Sequence, residues 1–260
     1  MILQEKRRPR NRTVFLILVW VLLLVLTLSL LSVLASLFAR NPQGLSVSSL
    51  SWAGYIIPKD SKPQFEVNAV NASWIVPKVN ASAGDGHSSA WIGIGGQSDK
   101  SLIQVGTEQD AVNGVDTYTA WYELLPSFAV ELTSISVSPG DTIIAHIDLV
   151  NSATNQWSIL IIDATTGQAF SRNVVYNSTR SSAEWIVERP TINKQISNLA
   201  DFGNLTFTDC HVDVNNVNGP IAKFEFLKIQ ATNSQNSQLT SVSDLSDEMS
   251  GFTVSYLASK

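Results

Sequence analysis

Beyond residue 51 the apolar and polar residues of this chain alternate over short stretches, and apolar positions almost never recur at helical spacing. Alternation with a period of two places successive side chains on opposite faces of a strand. Eleven such segments are predicted as strands. They cover residues 65–77, 88–96, 101–108, 117–126, 135–150, 156–163, 170–176, 183–188, 205–214, 223–230 and 251–257. Turn chemistry separates them at Ser138-Pro139-Gly140-Asp141, at Asp163 to Gly167 and at Asn216 to Pro220. Many short strands and no fixed repeat predict an all-β sandwich rather than a propeller or solenoid. The polar stretch 231–250 is expected to be an excursion before the last strand.

The pattern fails to be simple in three strands. In the segment Ala183-Glu184-Trp185-Ile186-Val187-Glu188, alternation puts two glutamates and Ile186 on one face, with Trp185 and Val187 on the other. Gln104 occupies the centre of the apolar run 101–107, on the face shared by Leu102 and Gly106. In the segment 117–126, Trp121 and Glu123 point one way and Tyr122 and Leu124 the other. A buried unpaired carboxylate costs several kcal/mol or gives up its charge. A face that collects Trp, Gln and Glu therefore reads as a lined groove.

The N-terminus has a different pattern. A basic segment, residues 1–13, precedes 26 uncharged residues, 14–39. That length exceeds the roughly 20 residues that cross a bilayer and the usual signal-peptide core. It predicts one transmembrane signal-anchor helix with the basic segment cytoplasmic, a linker at 40–50, and a domain at 51–260 lying outside the membrane. The alternative is a secreted domain, released by cleavage near Val33-Leu34-Ala35. Without residues 1–40 the 17 basic and 22 acidic residues become 11 and 21, a net charge of −10. Such a surface argues against a nucleic-acid partner. Cys210 is the single cysteine, so no intrachain disulfide forms. Four N-x-S/T triplets begin at Asn71, Asn80, Asn177 and Asn204.

Several chemistries lack their residues. There is no G-x-S-x-G elbow and no Asp-Thr-Gly or Asp-Ser-Gly triplet, and His87, His146 and His211 have no zinc-ligand spacing. No metal or cofactor is expected. Residues 93–96, Gly-Ile-Gly-Gly, follow a strand and precede no helix, which predicts a turn rather than a phosphate loop.

Seven segments then occur in a telling order: SSLSWAGY, VNASWIVP, SSAWIGIGG, SLIQVGT, YTAWYELLP, SPGDTI and SAEWIVERP. In this order they resemble the glutamic peptidases, or eqolisins, typified by fungal acid endopeptidases, over about Ser49 to Leu257. The resemblance implies two large antiparallel sheets in a concanavalin A/lectin-like sandwich with the active site on a concave sheet face. It also implies a metal-independent endopeptidase acting on polypeptide, with a catalytic dyad at Gln104 and Glu188. The positions of Trp91, Trp121, Tyr122 and Glu123 match substrate-cleft residues of that family, with alternation turning Tyr122 away from Trp121. Glu184 is expected to support or wall the cleft. In that scheme the Glu188 carboxylate takes a proton from water and later passes it to the leaving amine, while the Gln104 amide faces the developing oxyanion.

Two positions depart from the family pattern. Gly95 and Thr119 stand where the fungal members carry acids, which implies a Glu188 close to an ordinary glutamate. From a reference value of roughly 4.3, catalysis is then expected on the order of pH 3–5. The reading from another class is a non-catalytic lectin-like or peptide-binding sandwich displayed at the cell surface. It would use the tryptophans but has no need of Gln104 and Glu188 together.

Overall fold

The computed structural model describes residues 45–59 and 65–257. The expected membrane segment 14–39, the basic segment before it and the start of the linker lie outside these residues. Among the described residues no helix is long and apolar enough to cross a membrane, and the helical elements are two three-residue 3-10 turns, Ala81–Ala83 and Ile221–Lys223.

In chain order the first strands are β1 (Leu45–Ser49), β2 (Trp52–Pro58), β3 (Val67–Ile75), β4 (Gly86–Gly95), β5 (Leu102–Val112) and β6 (Val115–Leu124). Next come β7 (Val130–Glu131), β8 (Thr142–Asn151), β9 (Gln156–Asp163), β10 (Gln168–Val175), β11 (Ser182–Glu188), β12 (Thr191–Ile192) and β13 (Gln195–Ile196). The last are β14 (Asn204–Val214), β15 (Val217–Pro220), β16 (Leu227–Ala231), β17 (Thr240–Val242) and β18 (Phe252–Tyr256). One eight-stranded sheet runs β1-β16-β2-β11-β4-β5-β6-β7, and the other runs β10-β9-β8-β3-β14-β18-β17 with β15 paired to β14. Pairing is antiparallel throughout these two sheets except between β1 and β16.

Alternation accounts for the core. Ala183, Trp185 and Val187 of β11, Ile92 and Ile94 of β4, and Ile103 and Val105 of β5 enter one buried cluster with Trp74, Ile143 and Phe207 of the opposite sheet. Two indoles tie the layers at the strands of interest. Trp185 Nε1 donates to Asn71 O at 2.9 Å, and Trp74 Nε1 donates to Thr107 Oγ1 at 3.0 Å. Buried aromatics with satisfied N–H groups fix strand position as well as supplying apolar area, so β11 and β5 are held from behind.

Several boundaries differ from expectation. Residues 45–49, expected within the spacer, form β1, because pairing with β16 satisfies their backbone groups. The turn expected at 216–220 tightens to Asn215 and Asn216, both at positive φ, and residues 217–220 continue as β15. Asparagine tolerates that left-handed region better than other non-glycine residues. Within the polar stretch 231–250, Thr240–Val242 forms β17. The long segment 223–230 is a strand only from Leu227, since residues 221–223 turn as a 3-10 helix.

Candidate active site

The outer face of the first sheet is built in cross-strand rows. One row runs Ile56, Glu184, Gly93, Gln104, Glu123. The next runs Gly54, Ile186, Trp91, Gly106, Trp121, and the third Trp52, Glu188, Ser89, Glu108, Thr119. Gln104 and Glu188 thus lie on one face of the same sheet, with Trp91 in the row between them. This face is covered by its own residues: Ile56, Trp91, Leu102, Trp121, Ile186 and Ile229 form a second apolar cluster, flanked by Trp52 and Leu125. The expected alternation of β11, β5 and β6 is what the structure has.

Two polar assemblies stand in this apolar setting. At one, Gln104 Nε2 donates to Glu123 Oε2 at 2.5 Å. That bond orients the amide and leaves Gln104 Oε1 buried with no partner among the described residues. At the other, Trp91 Nε1 donates to Glu188 Oε2 at 2.9 Å, and the Trp91 ring meets Trp52 edge to face at 5.2 Å. Trp121 Nε1 is a buried donor without a partner among the described residues. A buried polar atom left unpaired costs about 1–3 kcal/mol, so these atoms are open to a bound molecule that can pair with them.

The carboxyl groups here hold protons tightly. Burial pushes Glu188 up to about 7, the indole hydrogen bonds of Trp52 and Trp91 pull it back, and the charges of Glu123 and Glu108 add to the rise. Glu123 is raised by burial and held down in part by Gln104 and the Ala129 backbone. Its effect on Glu188 shows that the two assemblies share one electrostatic field. The sequence-based expectation of a Glu188 close to ordinary glutamate is therefore corrected. Desolvation, not the number of neighbouring acids, sets its proton affinity. Glu184 has no exposed surface and neither oxygen has a hydrogen-bond partner. Burial raises it well above the ordinary value, with Asp99 adding and Ser182 opposing. Its surroundings in the floor favour the protonated form.

One substrate-cleft residue named from the sequence does not reach this face. Tyr122 packs into the core between the sheets, stacked on Phe170 at 5.7 Å, and its hydroxyl accepts from Arg172 Nη1 at 2.8 Å. The period of two required this. Trp91, Trp121, Glu123 and Glu184 do lie on the shared face. Sequence reasoning did not single out Trp52, Glu108, Gly93 or Gly106, although Trp52 lies in the quoted SSLSWAGY segment and Glu108 follows Gln104 at the same-face interval of four. The two glycines make room for Trp91. A Cβ on Gly106 would stand 2.3 Å from Ala90 O and 2.6 Å from Trp91 Cβ, and one on Gly93 would stand 2.8 Å from Trp91 Cζ3. Overpacking a buried site costs about 1–3 kcal/mol or more. Gly106→Ala is accordingly expected to lower unfolding stability by at least that amount in urea titrations. An unchanged midpoint would show that Trp91 can move freely.

The peptidase A4 family model matches residues 50–256. Aspergillopepsin-2 of Aspergillus niger is 30% identical over 185 residues, covering 62% of this chain and 63% of that protein. Scytalidopepsin B of Scytalidium lignicola is 28% identical over 185 residues, 66% of each chain. The matches thus span slightly less than two thirds of these curated relatives. Among solved structures, a scytalido-glutamic peptidase crystallised with a transition state analog inhibitor shares the fold at a TM-score of 0.68 and 24% identity, covering 80% of this chain and 99% of that one. The aspergilloglutamic peptidase from Aspergillus niger superposes at 0.58 with 27% identity over 66% of this chain and 99% of its own.

Proposed function

Because the chain belongs to the peptidase A4 family of glutamic peptidases, we propose that it is an acid endopeptidase that cleaves polypeptide on the outer face of its first sheet. Glu188 moves the proton, and Gln104 stabilises the oxyanion. The observation that carries this reading is the pair of assemblies on one apolar face: an amide clamped by Glu123 and a buried carboxyl held by Trp91. The Gln104 Nε2 group has one hydrogen on Glu123 and a second free for a substrate oxygen. Trp121 Nε1 and Gln104 Oε1 supply further contacts to the peptide backbone.

The raised proton affinity of Glu188 decides the order of events in acid. With a value of about 7, the group carries its proton through the acid range, so the populated starting state is a carboxylic acid. It delivers that proton toward the leaving nitrogen as the water oxygen bonds to the carbonyl carbon and the C–N bond breaks. The proton lost by the attacking water returns to the Glu188 carboxylate, which restores the enzyme. This order replaces the base-first scheme expected from an ordinary glutamate near pH 3–5. No step requires a metal.

The pH profile tests it. Log kcat/KM on a denatured protein or peptide substrate is expected to stay level below the Glu188 value and fall about tenfold per pH unit above it, because free-enzyme ionisations govern that ratio. A rate that rises through pH 5–7 and stays high beyond would reverse the order and make Glu188 the initial base.

A binding module would use the same tryptophans, but it has no need for the clamped amide beside a buried carboxyl, and family membership does not favour it. The tether through residues 14–39, with the domain outside the membrane, rests on the sequence pattern alone. Secretion after cleavage is its alternative. The N-terminal sequence of the mature protein decides between them.

A further inference from the structure

We propose that His87, Glu108 and Asp110 form a binding site for a borderline divalent cation of the zinc type at the open end of the same sheet face. Distance along the chain hides it, since His87 is 21 residues from Glu108 and 23 from Asp110. Strand pairing brings them together. His87 lies directly across from Asp110 in the β4–β5 register, and Glu108 is the next residue of β5 on that face. One ligand atom from each of the three lies within 4.8 Å of the others.

Three observations separate this group from an ordinary solvated cluster. First, His87 Nδ1 and Asp110 Oδ1 face each other at 3.0 Å, yet both atoms are buried without a hydrogen bond of acceptable geometry. The two form an imidazole–carboxylate contact, and a shared ion would take both lone pairs at once. Second, among the described residues no lysine or arginine pairs with Glu108 or Asp110, which leaves His87 as the basic side chain that offsets their charge. Third, the His87 backbone is pinned on both sides. Its N–H donates to Asn198 O at 2.8 Å, and its carbonyl accepts from Ala200 N at 3.1 Å. Gly86 permits that approach, for a Cβ there would stand 2.7 Å from Ala200 N. The imidazole is thus held in place before any ligand arrives.

The donor set selects the cation. One imidazole nitrogen and two carboxylate oxygens suit zinc and its first-row neighbours, whereas calcium and magnesium favour all-oxygen shells. Three protein ligands leave a fourth position for water. None of the three residues is assigned a catalytic step, so occupancy and peptidase activity are separate measurements.

The test is calorimetric titration of the full-length protein with zinc chloride at pH 7.5, with cobalt chloride absorption as a second readout of tetrahedral nitrogen and oxygen ligation. Saturable binding of one ion per chain is expected, weakened at least about tenfold in each of His87→Gln, Glu108→Gln and Asp110→Asn. These replacements keep side-chain size and are checked for folding by near-ultraviolet circular dichroism. If one of them fails to fold, the remaining two with the cobalt spectrum carry the decision. Absence of saturable binding, or affinity unchanged in folded variants, would overturn the proposal. The latter would assign the ion to His146, His211 or another surface group.

Discussion

Glu188→Gln is expected to lower kcat/KM by about a thousandfold or more while leaving the fold intact. The substitution keeps the side chain's size and its acceptor toward Trp91 Nε1, but glutamine neither gives nor takes a proton at any working pH. Proton transfer by a positioned group contributes typically 10²–10⁴-fold, and in the proposed mechanism one group serves both transfers. Gln104→Ala removes the oxyanion donor and leaves Glu123 without its clamp. A loss of about 100- to 1,000-fold is expected from the donor. The two effects fall mainly on kcat, since both groups act as charge develops. Tyr122→Phe, on β6 next to Glu123, is the control: its hydroxyl meets Arg172 on the inner side, so turnover should change little. A Glu188→Gln protein that hydrolyses at near the parent rate would remove the carboxyl from the mechanism and with it the proposed function.

The second large effect is on stability. Between pH 4.5 and 8 the protein is expected to lose stability as pH rises. Glu188 binds its proton at about 7 when folded, against 4.5 ordinarily. In that interval the folded state holds a proton that the unfolded chain has released, so the unfolded state binds fewer protons and stability falls with pH. The contribution is fully present below the unfolded value and gone once pH passes the folded one. For Glu188 alone this amounts to about 3 kcal/mol. Glu184 adds to the decline in the same direction, because burial of its carboxyl opposes ionisation more than Ser182 favours it. Urea unfolding at half-unit pH steps measures the slope. Glu184→Gln should make the decline shallower. A stability that is level or rising across this interval would mean that these groups are solvated. The same physics suits a protein that works in acid, where its groove residues are neutral and the apolar face costs nothing to keep dry.

The acid content of the cleft can be tested by an aspartate at position 119 but not by one at position 95. Thr119 lies beside Glu108 in the third row. Gly95 has φ +88, and a Cβ there would stand 2.2 Å from Ser101 O, so an aspartate would strain the turn.

The sequence by itself determined most of the strands and the faces of those that carry the candidate site. The period of two is a local property of extended backbone, so it could place Glu184, Ile186 and Glu188 together, set Gln104 beside Gly106, and turn Tyr122 away from Trp121 before any pairing was known. The order of the seven segments carried the family. Register, burial and charge were decided only by the tertiary structure. That Gln104 meets Glu123 and that His87 meets Asp110 depends on which residues pair across β4, β5 and β6, and no local pattern encodes it. The proton affinity of Glu188 was misjudged for the same reason. Counting acids near it in the sequence gives the Coulomb part, but the larger part is desolvation. Desolvation comes from the packing around the carboxyl, while Trp52 and Trp91, brought in from strands 136 and 97 residues away in the chain, oppose it with their indole hydrogen bonds. Side-chain direction is local, whereas the dielectric around a charge is set by everything that packs against it.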